Sequence, residues 1–145
     1  MRATVQMTGL RELGAALKEL DSRVQKRIAR SATAAGARVI ANEAKSRVPV
    51  DKGTVKKNIR TANLKPTQPG LQETAVGVRV KGKTEVSAFH WRFLEFGTAK
   101  MPAKPFLRPA FEAKKEEAAN RIKEQLAKRL DAEAAKIGAT IGKAK

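Results

Sequence analysis

Residues able to do chemistry are few in this chain, and they stand apart. His90 is its one histidine and cysteine is absent, which excludes a multi-histidine or thiolate metal site and a cysteine nucleophile. A Ser–His–Asp relay would have to use His90, but no serine occupies the Gly-x-Ser-x-Gly setting that exposes a nucleophile. Glu43-Ala44-Lys45 has the Glu-x-Lys spacing of metal-dependent nucleases, yet it falls in a helical pattern and not in a strand. Asp51 and Glu95 carry carboxylates suited in principle to acid–base work. Asp51 reads better as a turn residue two before Gly53, and Glu95 as a member of a local or interface ion pair. Gly53 and Gly97 stand alone, so no phosphate-cradling loop is written. The expectation is a protein that is not an enzyme, with no catalytic residue, cofactor or metal.

Charge points elsewhere. The chain of 145 residues carries 31 Lys and Arg against 14 Asp and Glu, a net +17. The excess is spread along the chain: +6 over residues 1–50, +6 over 51–100 and +5 over 101–145. A body this cationic favours contact with polyanions and opposes self-association unless a partner offsets it. One row is explicit. Arg23, Arg27, Arg30, Arg38 and Lys45 recur at helical spacing, and such a row either faces solvent or follows a phosphate backbone. Aromatic platforms spread through the basic surface, as in single-strand binders, are absent. Phe89, Trp91, Phe93 and Phe96 form one local cluster instead, so any DNA contact is expected to be sequence-independent.

The elements that must position these groups follow from periodicity and punctuation. The length suits one domain over residues 1–130. Thr4–Met7 reads as a short β segment, and Thr8 as a cap for a helix over Gly9–Leu20. Asp21-Ser22 is a second cap or a break. A longer alanine-rich helix follows from Arg23 to about Arg47, with an apolar stripe of Val24, Ile28, Ala32, Ala35 and Val39, and Pro49 ends it. Asp51 and Gly53 mark a turn. Val55 and Ile59 make one helical turn that leads into an extended stretch to Leu64, and KPTQPG forms a loop. Glu73–Lys81 alternates with Val76, Val78 and Val80 on one side, which predicts a strand that turns at Lys81-Gly82-Lys83 and pairs with Thr84–Phe89. HWRFLEF suits either a strand or a helical turn. Leu107 to about Leu130 is an amphipathic helix with a stripe of Leu107, Phe111, Ala118, Ile122, Leu126 and Leu130. Residues 131–145 are expected to fray. The predicted class is α+β: a small antiparallel sheet near residues 59–96, packed against the long N-terminal helix and the C-terminal helix. No run is long and apolar enough for a membrane span, and the N-terminus lacks a secretory apolar region. The expectation is therefore a soluble, cytoplasmically made chain with no membrane partner.

Two blocks carry a resemblance. VPVDKGTVKKNI (48–59) and FLEFGTAKMPAKPFLRPAFE (93–112) resemble the paired signature of minor tail components of lambdoid-type tailed phages, the neck or tail-completion proteins of the head–tail joint. There the first block reads Pro-Val-Asp-Thr-Gly and then a Leu-Arg-x-Ser-Ile-like segment; Pro49, Val50, Asp51, Gly53 and Ile59 match. The second reads Glu-Phe-Gly-Thr and then Pro-x-Pro-Phe-Leu-Arg-Pro-Ala. Glu95, Phe96, Gly97, Thr98, Pro102, Pro105, Phe106, Leu107, Arg108, Pro109 and Ala110 match it. Lys52, Val55 and Asn58 depart from the usual Thr, Leu and Ser.

The resemblance implies a virion structural subunit that joins tail to capsid, assembled with itself as a ring and in contact with head-closure, tail-terminator or tail-tube neighbours. Its place would be the head–tail joint, after assembly in the host cytoplasm. It also implies a role for the proline-rich stretch. Glu95, Phe96, Pro105, Phe106, Leu107 and Arg108 would form a stiff arm that docks on a neighbour, because a rigid segment loses little entropy on ordering. The positive charge would face DNA passing through the joint, or acidic rings. The rival expectation is a nucleoid-type, sequence-independent DNA-binding protein.

Overall fold

The computed structural model describes Lys18, residues 20–80 and residues 88–143, with side-chain surroundings as far as residue 136. The expected segments Thr4–Met7 and Gly9–Leu20, and the strand residues 84–87, lie outside it or largely so. Helix α1 spans Ser22–Arg47. Asp21 is its N-cap, the side chain accepting from the Arg23 N–H at 2.8 Å, which satisfies one of the free donors of the first turn. At the other end Val48 is extended ahead of Pro49, as steric conflict with a following proline ring requires.

A single stripe does not describe what α1 buries. Along its first half Ile28 and Ala32 pack with Leu126, and Leu20, Val24, Ile122 and Leu130 close around them. Along its second half Ala41, Ala44 and Val48 pack with Val55, Ile59, Ala88, Phe106 and Ala110. Val39, expected in the apolar stripe, is only half-buried, while Gly36, Ala37, Ala41 and Ala44 are buried. The helix is covered by different elements at its two ends, so its buried face changes side. Gly36 sits at the closest approach: a Cβ there would lie 2.5 Å from Ile122 Cγ1 and 2.9 Å from the Ala118 carbonyl oxygen.

Gly53, at φ 70°, turns the chain into the short helix α2 (Thr54–Asn58), a left-handed conformation that a side chain disfavours. Val55 and Ile59, one turn apart, are both buried. Strand β1 (Ile59–Asn63) then pairs antiparallel with β2 (Thr74–Val78), in a register running from Ile59 opposite Val78 to Asn63 opposite Thr74. Both strands lie on α1, and the Thr74 hydroxyl meets that of Thr33 at 2.8 Å.

The expected antiparallel sheet is present, and its described part is the β1–β2 pair, while most of the expected partner strand from Thr84 lies outside the described residues. β2 pairs with the segment before it, across the KPTQPG loop, and Phe89 belongs to a 3-10 turn (Ala88–His90) and not to a strand. β1 carries the fully buried Ile59, and pairing along it places Val76 and Val78 against the same core. Val80 is exposed. The ambiguous HWRFLEF resolves as helix α3, Trp91–Phe96.

The last helix, α4, spans Leu107–Lys143 and packs along α1. It continues past Leu130 into the segment expected to fray, and Glu133 reaches Arg27 of α1 at 2.8 Å. Lys136 and Arg27 together hold the Glu133 carboxyl below its ordinary range, the hydrogen bond from Lys136 first among the causes. On the exposed face of α4 Glu117 pairs with Lys114 and Glu124 with Arg121. Among the described residues no helix is long and apolar enough to cross a membrane.

Candidate functional site

The second signature block folds back on itself around one carboxylate. Glu95 is on the last turn of α3 and 8 % exposed. Its Oε2 accepts the N–H groups of Phe106 at 2.8 Å and Leu107 at 3.0 Å, and its Oε1 accepts that of Arg108 at 3.0 Å. These are the donors that the first turn of α4 leaves without a partner inside the helix. Pro109, next in line, has no N–H to satisfy. Ala110 N–H then makes the first helical bond, to the Phe106 carbonyl at 3.2 Å. The N-terminal donors of α4 are therefore fully accounted for, and a negative charge sits at the positive end of its dipole. The first turn of α4 holds no acidic residue of its own.

Gly97 makes this closure possible. At φ 73° it ends α3, and a Cβ there would lie 2.8 Å from Ala103 N and 3.0 Å from the Met101 carbonyl oxygen. Thr98 and Met101 exchange backbone hydrogen bonds at 2.9 and 3.3 Å, and Lys104 N–H donates to the Leu94 carbonyl at 2.7 Å. The proline-rich stretch is thereby pinned to α3 along its length.

Phe106 is the centre of that packing, 0 % exposed against Ala41, Ala44, Val55, Ile59 and Ala110. The expected docking arm is corrected accordingly. Phe106 and Glu95 are interior to this chain, and Leu107 is half-buried against the same core. Glu95 makes a backbone cap where an ion pair was expected. The missed signal was present in the sequence. Leu107 begins a long helix with no Ser, Thr, Asp or Asn before it, and Glu95 is the only acid between residues 86 and 111. Pro105 and Arg108 of the expected set remain exposed, and Phe96 points outward at 75 % exposure.

The cationic row is divided. Arg23, Arg27, Arg30 and Arg38 are exposed and Lys45 is half-buried. Ala41, about five turns after Arg23 and so on the same side of α1, is buried. The second half of the row is thus interrupted by the core, and Arg27 is paired with Glu133. Asp51 is exposed in the turn before Gly53. It shares with His90 and Val50 the lining of an open groove of about 470 Å³. Among the described residues no group of three His, Cys, Asp or Glu is gathered as a metal would need.

Comparison with known families bears on the two blocks. Residues 11–97 match the model of the HK97-gp10-like family, described as "Bacteriophage HK97-gp10, putative tail-component". The chain belongs to that family. Its role is accordingly that of a structural, tail-related component of a bacteriophage, whose surroundings are other phage structural proteins. The match takes in the 48–59 block and ends at Gly97, so the capped start of α4 lies beyond it. No curated protein and no solved structure matches this tail component.

Proposed function

We propose that this tail component is a non-enzymatic subunit of the head–tail joint, assembled as a ring between the capsid and the tail. The family match over residues 11–97 carries the reading. The way the 93–112 block is used supports it: its buried acid, Glu95, fixes α3 to α4, and Phe96, Pro105 and Arg108 are left on the outside. A rigid surface of that kind suits assembly, since little entropy is lost when it docks. The test is a phage deleted for this gene. Lysates are expected to hold filled heads and complete tails that remain separate, and adding the purified protein is expected to restore joined particles. Joined particles in the deletion lysate would overturn the proposal.

Charge supports a second reading, sequence-independent contact with duplex DNA. The net charge is +17, and Arg23 and Arg30 are exposed on one side of α1 with no ion-pair partner among the described residues. Affinity for a duplex of random sequence is expected to be weak and to come from counterion release. If about three phosphates are neutralised, it falls about fortyfold between 50 and 200 mM salt. Measurement is by fluorescence anisotropy on two unrelated duplexes. Tight binding to one of them that survives the higher salt would favour a dedicated DNA-binding protein.

A further inference from the structure

The 3-10 turn and α3 together expose a row of aromatic rings that the fold does not use. Phe89 is 55 % exposed and Phe93 44 %. Their rings meet edge to face at 6.1 Å, and Phe89 makes the same contact with His90 at 6.1 Å. Phe96 follows Phe93 by one helical turn, the spacing that places side chains together on a helix. Half of the chain's six aromatic residues thus stand in solvent within eight positions. Singly exposed apolar residues are ordinary, but a contiguous set of large rings marks a contact surface.

Along residues 88–108 the exposed Lys, Arg, Asp and Glu side chains are all positive. Arg92, Lys100, Lys104 and Arg108 are all exposed on α3, on the turn after it and at the start of α4. Glu95, the one acid in that stretch, is buried and holds three backbone N–H groups. A second copy docked through this same face would bring the same cations against these, any other face of a second copy belongs to a chain of net +17, and like charges across an interface are unfavourable.

We infer that the Phe89–Phe93–Phe96 row docks on a different protein, through a surface that is apolar at its centre and acidic at its rim. The rings supply the desolvated anchor, and Arg92, Lys100, Lys104 and Arg108 select the partner by charge and speed its approach. The assembly in which this partner is met rests on the head–tail joining reading; the chemistry of the partner does not.

The test uses the full chain and two synthetic helical peptides with the same leucine face, one rimmed with glutamate and one with lysine. Trp91 is the only tryptophan in the chain and adjoins the row, so its fluorescence reports binding. The glutamate peptide is expected to bind, more weakly as salt rises, and the lysine peptide is not. The Phe93→Ser/Phe96→Ser variant, changed at exposed positions, is expected to unfold at nearly the native temperature. It should bind the glutamate peptide at least about tenfold more weakly. Equal binding by variant and native protein, or of both peptides, would overturn the inference. So would a native oligomer that the variant dissolves, which would make the occupant a second copy, or a loss of duplex affinity in the variant, which would make it nucleic acid. Phage carrying the variant separates the two readings. If joining needs the protein but tolerates the variant, the joining reading stands and the docking row falls. If joining does not need the protein while peptide recognition persists, the reverse holds.

Discussion

Glu95→Ala is expected to lower folding stability by about 3 kcal/mol, the largest effect of any change to a charged side chain among the described residues. One carboxylate accepts from Phe106, Leu107 and Arg108. Hydrogen bonds to a charged group contribute about 1.5–3 kcal/mol each, and donors left buried without a partner cost about 1–3 kcal/mol. The three bonds are not additive, because water can reach the Leu107 and Arg108 amides once the carboxylate is gone. Glu95→Gln keeps one acceptor oxygen and loses the charge at the helix dipole, and it should fall about halfway. The measurement is chemical denaturation of both variants, with the midpoint read against the native chain. Hydrogen exchange adds location: protection should drop first at the start of α4. If Glu95→Ala unfolds at the native midpoint, the cap contributes nothing to stability and the role assigned to Glu95 is wrong.

Phe106→Ala should cost about 3–5 kcal/mol, the range for removing a large ring from a core that cannot collapse into the space. Phe106 is fully buried, and its neighbours Ala41, Ala44 and Ala110 are too small to fill the cavity. Joining of heads to tails is expected to fail only in proportion to the unfolded fraction, since Phe106 offers no surface to a partner. Thermal unfolding beside a joining assay at a permissive temperature distinguishes the cases. Joining lost while the variant is still folded would return Phe106 to an interface. The double variant Glu95→Ala/Phe106→Ala should cost less than the two single losses together, because both act on the same closure of α3 onto α4.

Much of the framework was legible from local signals. Asp21 and Pro49 bracket α1 because an N-cap and a proline act within one turn of themselves. The 3.6-residue pattern from Leu107 identified α4, Val55 and Ile59 identified the buried turn of α2, and the valine alternation identified β2. One histidine and no cysteine exclude a multi-histidine or thiolate metal site and a cysteine nucleophile, and the two signature blocks pointed to a phage tail family.

What the tertiary structure alone decided was which element meets which. Alternation in 73–81 makes a strand but does not name its partner, and among the described residues β1 pairs with it, which carries Val76 and Val78 to the core that Ile59 occupies. Helical spacing groups the cations of α1, but the core crosses their side of the helix at Ala41. In the proline-rich stretch, apolar residues and stiff backbone look alike whether they face a neighbour or the interior. Burial is a property of what covers a residue. Phe96 and Phe106 are the same residue ten positions apart, and one is in solvent because Gly97 and the Thr98–Met101 turn reverse the chain and bring the other under α1. Glu95 completes that reversal through hydrogen bonds spanning 11 to 13 residues, a separation at which sequence spacing carries no geometric information.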